Sequence, residues 1–528
     1  MILLFIGSYF SVLDNYDTNA LSLPTSATNN PSNDPTANLQ TQVGKSIQVL
    51  HTPYVKEYSI PNGTWPNGLL VDSNGTVWTV GTRSQNLLKV DPRNGQVLNV
   101  YPLKNQDSVS NNRIKSRTGV MMVWAMVEGK DGSIWFSQSD SSNPLWRFDR
   151  NTSKFEIFRT ISSAPFQMKV EERTGNIWFT TFASGNIGVI QRVKTNTSSI
   201  PDSSNYQINE FSLGKASYPS GLFLDGDSLW VTETLDDKII KLRIVTDIHG
   251  KVIDLVKLTE ISGKGKKDLF SAPYDVVRLG NSLWVTEHDA NFIAKYDLTS
   301  NSVTKLAVSN NPHQYISLPF WLKIGPDDKS LWFNEHTGNR ISFINTTNMQ
   351  LTEYEIPTRD PSTGYISNVL NFAVDPLDRN RVWFSEYNYD KIGLVDRHIP
   401  ISFGIKSNLQ DITISTNNQH KFSPEAINLQ IMNEPTNVES NGNGSDLPKN
   451  SISFKISSSM TPFGSLKNIS SEFIPDGLNI ASLPKITPIH LRLSPEQEIE
   501  IYPGNYTLGV SATDDYVTKT IFLNLIIK

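Results

Sequence analysis

Residues Leu331–Ile344 read LWFNEHTGNRISFI, and near-copies of this stretch recur along the chain. Ile177 opens IWFTTFASGNIGVI, Leu229 opens LWVTETLDDKIIKL, Leu283 opens LWVTEHDANFIAKY and Val382 opens VWFSEYNYDKIGLV. Weaker copies begin at Val77 (VWTVGTRSQNLLKV) and Ile134 (IWFSQSDSSNPLWRF). The seven tryptophans, Trp78, Trp135, Trp178, Trp230, Trp284, Trp332 and Trp383, are spaced by 57, 43, 52, 54, 48 and 51 residues. A repeat near fifty residues with strand-like content is the signature of a propeller.

Within one unit the order is regular. FWLKIGP, SLWFNEH, NRISFIN and LTEYEIP (Phe320 to Pro357) are four short strands with apolar alternation, joined by turn residues such as Gly325-Pro326-Asp327-Asp328. Seven such units predict an all-β, seven-bladed β-propeller over residues 51–401. Tryptophan recurring at one place in every blade is expected to fill the widening gap between radial sheets. YVKEYSIP (Tyr54–Pro61) resembles the outer strand LTEYEIP, whereas the unit around Trp383 loses its pattern at RHIPISFG. The N-terminal strand is therefore expected to complete blade seven and remove the open edges. Beyond Ser402, short strands and turn clusters predict an immunoglobulin-like β-sandwich over 402–528, with Tyr506 at a tyrosine-corner position. That module reads as a binding or spacer domain, with Asn437–Asn450 as a loose loop inside it.

Composition narrows the function. The 528 residues carry a net charge of −5 and no cysteine. Disulfides, thiolate metal sites and cysteine nucleophiles are thus excluded, and nothing marks a nucleic-acid footprint. Met1–Leu13 is an uncharged apolar run that reads as a signal-like or anchor segment within residues 1–20. Residues 21–50, rich in Ser, Thr, Asn and Pro, read as a disordered tether. The expected setting is extracellular or cell-surface, with membrane contact only through that first segment, and the expected state is a monomer.

In an antiparallel blade, the residues before the first strand and after the second meet at one mouth of the channel. This places Glu233, Glu287, Glu335 and Glu386, with His288 and His336, on that face. His313, in the loop entering blade six, joins them. Glutamates that recur in four successive blades are expected to serve those blades, by accepting N–H groups of the following turn. The histidines do not recur, so His288, His336 and His313 are the candidate catalytic bases. Glu287, Glu335 and Glu386 are the candidate metal ligands, alongside the imidazoles.

The WF-T/S-E…NKIG type of blade, the EYSIP and EYEIP outer strands and the inner strands led by Pro66, Pro165, Pro219, Pro273 and Pro319 resemble the virginiamycin B lyase (streptogramin lyase) family over roughly residues 54–396. The resemblance implies a propeller that opens a cyclic depsipeptide at its ester by elimination, with a histidine base and Mg²⁺ held by glutamates. The family places its histidines after the proline of the last inner strands. Here those positions read Pro319-Phe320-Trp321 and Val369-Leu370-Asn371, Asn368 stands where the family has an acid, and Glu386 and Tyr387 stand at the metal position. Two readings follow: a lyase-like enzyme whose chemistry has moved to His288, His313 and His336, or a binding protein that takes a small molecule, peptide or glycan at its mouth. A calcium-dependent lactonase-like hydrolase is a weaker third, because no acid–Asn–Asn–Asp set emerges.

Overall fold

Each tryptophan of the repeat lies on the second strand of an antiparallel sheet, and seven such sheets form the ring. The computed structural model describes residues 49–103, 121–139, 144–161, 165–192, 205–214, 217–262, 269–309, 317–360, 365–416, 425–433, 451–459, 469–479, 482, 484–495 and 503–528. The apolar leader, the tether as far as residue 48, His313 and the loop 437–450 lie outside them, whereas the last two tether residues, Val49 and Leu50, are in a strand.

With strands lettered a to d outward from the axis, blade six runs Pro319–Ile324, Ser330–Glu335, Arg340–Asn345 and Gln350–Glu355. The inner strands of blades one to five are Pro66–Val71, Met126–Glu128, Pro165–Val170, Pro219–Asp225 and Pro273–Leu279. Blade seven takes Phe372–Val374, Arg381–Glu386 and Lys391–Asp396 from one end of the repeat and Val55–Ser59 from the other. Val55 stands opposite Val395 and Ser59 opposite Lys391. Tyr54, Val55, Tyr58 and Ile60 are buried by this pairing. The ring is closed as the resemblance of the two outer strands predicts, and Val49–His51 adds a short fifth strand outside it.

The apolar core is divided among the gaps between blades. Trp78 packs toward blade two, Trp178 toward blade four, Trp284 toward blade six and Trp383 toward blade one, each in its own cluster. In several blades the indole N–H is satisfied as well, whereas that of Trp383 is buried without a partner. Trp78 donates to Asp72 at 2.9 Å, Trp178 to Glu171 at 3.3 Å and Trp230 to Asp225 at 3.1 Å, each acid standing at or just beyond the end of strand a. These rings are core, and none is free to stack on a sugar.

Seven residues after the tryptophan, a left-handed residue turns the chain from strand b to strand c. These are Asp237, Asn291, Asn339 and Asp390 in blades four to seven, with φ between 48° and 60°. Their side chains latch the next blade. Asp237 accepts the Ala272 N–H (2.7 Å), Asn291 those of Ser317 and Leu318 (both 3.0 Å), and Asn339 that of Ser367 (3.1 Å). Asp390 closes the circle by accepting the N–H groups of Gly63 (2.8 Å) and Trp65 (2.7 Å). Asn and Asp serve both needs, because they tolerate left-handed backbone and carry a short acceptor.

After blade seven, Phe403–Ser407, Glu425–Asn433, Ile486–Pro495 and Ile469–Ile474 form one four-stranded antiparallel sheet. Val517–Ile527, Gly504–Thr513, Ser451–Ser459 and Gly477–Asn479 form a second, with Asp411–Ile414 parallel to Val517–Ile527. Ile427, Leu429 and Leu491 of the first share a buried cluster with Leu508, Val510 and Leu525 of the second. Strand Val517–Ile527 also pairs with the outer strand of blade six, Leu351 facing Thr520 and Tyr354 facing Val517. The C-terminal strands therefore continue a blade sheet. The exposed edge of blade six supplies the unpaired N–H and C=O groups that such an extension satisfies.

Candidate functional site

His288 and His336 each stand four residues after their tryptophan, where strand b ends. His288 opens a short 3₁₀ turn, His288–Ala290, whose left-handed end is Asn291. His336 Nε2 lies 3.0 Å from His288 Nε2, and the two rings stack at 5.2 Å with 17° between their planes. His288 Nδ1 lies 2.7 Å from Asp289 Oδ1, and His336 Nδ1 lies 3.3 Å from Asn368 Oδ1. Asp289, His288, His336 and Asn368 thus form one chain of contacts across blades five, six and seven. All four ring nitrogens face a partner. Burial, followed by the neighbouring His288, pushes the His336 pKa down to about 3, so this imidazole is neutral at physiological pH.

Aromatic rings floor the same mouth. Tyr274 stacks on His288 at 4.9 Å and lies 4.6 Å from Phe320, which in turn lies 5.3 Å from His336. Phe166, Trp124 and Trp321 extend the cluster. Leu370 and Tyr387 are buried beside Met122, with Trp65 against them. Half-buried Trp65, Trp124, Phe182, Tyr218 and Tyr274 leave part of their rings toward solvent.

The glutamates do not converge with the histidines. Glu287 accepts from Lys305 Nζ at 2.9 Å. Glu335 accepts from Ser342 Oγ at 2.5 Å and lies 3.8 Å from Arg340. Glu386 accepts from Ser367 Oγ at 2.7 Å, and Glu233 pairs with Lys238 at 2.6 Å. Each serves its blade as the repetition predicts, but mostly through side-chain cations and hydroxyls rather than turn N–H groups. Burial raises Glu287 to about 7 and Glu335 to about 8, and raises Glu386 as well. A dication needs ionised, convergent carboxylates. Among the described residues no three His, Asp or Glu groups gather to hold a metal ion. Glu287, Glu335 and Glu386, each withdrawn into its own sheet, do not fit the Mg²⁺ set that the resemblance implies.

The sequence model of the virginiamycin B lyase family matches residues 122–403. The chain belongs to the virginiamycin B lyase family. Among solved structures it is similar to virginiamycin B lyase from Staphylococcus aureus, at 22% identity over 65% of this chain and 98% of that one, with a TM-score of 0.47. It is similar to a streptogramin B lyase at 19% identity, over 65% and 97% of the two chains, TM-score 0.47. The extracellular domain of a hybrid two-component system from B. thetaiotaomicron aligns at 14% identity over 92% of this chain and 60% of its own, TM-score 0.42. No curated protein matches the chain.

In this member of the virginiamycin B lyase family, Phe320 and Leu370 fill the positions after the inner-strand entry and are 4% and 1% exposed. Asp289 escaped the sequence reading, although its place beside His288 was the available signal. The latch residues also escaped it, yet an Asn or Asp recurs seven residues after four of the tryptophans. No helix among the described residues is long and apolar enough to cross a membrane.

Proposed function

We propose that this virginiamycin B lyase family propeller is a recognition protein whose mouth binds a small molecule or peptide bearing aromatic or ester groups, without metal-assisted elimination. The observation that carries this reading is the engaged histidine chain set on an aromatic floor. Phe320 and Leu370 cannot accept a proton, and each ring nitrogen of His288 and His336 already faces a partner. Half-buried rings beside the histidine pair supply stacking surface, with His288 and Asp289 as the polar handle. The apolar run Met1–Leu13 and the polar tether that follows support an extracytoplasmic setting.

A type B streptogramin is the natural probe. Added with Mg²⁺, it is expected to quench tryptophan fluorescence while chromatography detects no linear isomer of unchanged mass. Quenching should weaken in Trp65→Ala and Trp124→Ala. Turnover comparable to that of a lyase overturns the reading.

One observation favours a second reading. The 2.7 Å contact of Asp289 with His288 orients that imidazole as in an acid–base pair. If His288 acts as a metal-free base, turnover persists in excess chelator and falls by about two to four orders of magnitude in His288→Ala.

A further inference from the structure

The opposite end of the channel holds a different set of groups. A cavity of about 240 Å³ is lined there by Lys169, Phe223, Leu224, Val277, Leu322 and Lys323, with Val170 and Ile324. All stand toward the far ends of the inner strands of blades three to six, whose first residues make the aromatic mouth. Between the two ends lies a buried polar layer. Gln167 Nε2 donates to Asp275 Oδ1 at 2.8 Å, and Leu322 N–H donates to Asp275 Oδ2 at 2.9 Å.

We propose that this cavity is a second binding site, for a small monocarboxylate with a short apolar body. Three features carry the proposal. The lining contains two amines and no acid, and neither lysine forms an ion pair with a described residue. The remaining walls are apolar, so an anion with a hydrocarbon tail satisfies both surfaces. Lys323 is also held in place: its Nζ donates to the Phe372 carbonyl and lies 4.7 Å from the Phe372 ring centroid. An ammonium has three donors, so two remain for a carboxylate. The titratable groups acting on Lys323 are Lys169 and Asp275. Burial, then Lys169, lowers its pKa to about 7, while Asp275 opposes the shift. A bound carboxylate restores the favoured charge, so binding takes up a proton.

Calorimetry with hexanoate and hexanamide tests this on the full chain. Hexanoate is expected to bind at least about tenfold tighter than its neutral amide. Near pH 7.5, the hexanoate enthalpy should differ between buffers of unequal ionisation enthalpy, reporting proton uptake. Lys323→Met and Lys169→Met should each lower hexanoate affinity, Lys323→Arg should largely keep it, and exposed Lys251→Met should leave it unchanged. The thermal midpoint of each variant shows whether it is folded. Trp124→Ala, at the other mouth, should not alter hexanoate binding, which separates this site from the recognition site proposed above. Equal affinity for acid and amide overturns the proposal. So does full hexanoate binding by both folded methionine variants.

Discussion

His288 and His336, from neighbouring blades, place their Nε2 atoms 3.0 Å apart. Only one of these nitrogens can carry the shared hydrogen, so one ring donates across the contact and the other accepts. With Asp289 at one end and Asn368 at the other, the pair holds both imidazoles in position. Neither ring nitrogen of either histidine points at an empty site.

The buried His336 makes stability depend on pH in a defined direction. Its pKa falls from 6.5 to about 3 in the folded protein. Between those values the unfolded chain binds a proton that the folded one refuses, so stability drops as pH falls below 6.5. The slope approaches roughly 1.4 kcal/mol per pH unit. His336→Gln should flatten the decline in thermal midpoint between about pH 6 and pH 4. An unchanged slope would show that His336 is not neutral in the fold.

Glu335 acts in the opposite sense. Burial first, with Glu353 adding to it, raises its carboxyl from 4.5 to about 8. The folded protein keeps a proton that the unfolded chain releases above 4.5, so stability is lost as pH rises through that interval. Glutamine mimics the protonated acid. The midpoint of Glu335→Gln minus that of the natural protein should therefore become more positive from about pH 5 to pH 8. A difference that stays flat or falls contradicts the assignment.

The latch from blade seven to blade one should be measurable. Asp390→Ala removes two acceptors from Gly63 and Trp65 at the ring's junction. It should cost about 1–3 kcal/mol in urea unfolding. Asn291→Ala, which removes the same kind of acceptor inside the repeat, should cost a similar amount. A negligible loss in both would make the latches incidental to stability.

Truncation separates closure from ornament. Deleting residues 1–50 removes most of the short strand outside blade seven and should shift the midpoint little. Deleting through Pro61 removes Val55–Ser59 with its buried Val55 and Tyr58. That loss should be on the order of several kcal/mol, because burial and strand pairing disappear together. Equal stability of the two truncations refutes closure by the N-terminal strand.

The repeat, the blade order and the ring closure were legible in the sequence, because strands alternate in local pattern and the tryptophan marks each unit. The structural role of the recurring glutamates was legible for the same reason: repetition through four successive blades points to what those blades need. Other features required the tertiary structure. Glu335 finds Ser342 and Arg340 on strand c, whereas Glu287 finds Lys305 on strand d, and nothing in the local sequence states which neighbour an acid will reach. His288 and His336 are 48 residues apart, and only the angle between adjacent blades brings their rings together. The pairing of Val517–Ile527 with blade six was hidden too, since any open edge could have accepted that strand. Sequence determined the local period, which depends on side chains a few residues apart. The site depended on how seven sheets turn about one axis, and that is set by packing between residues far apart in the chain.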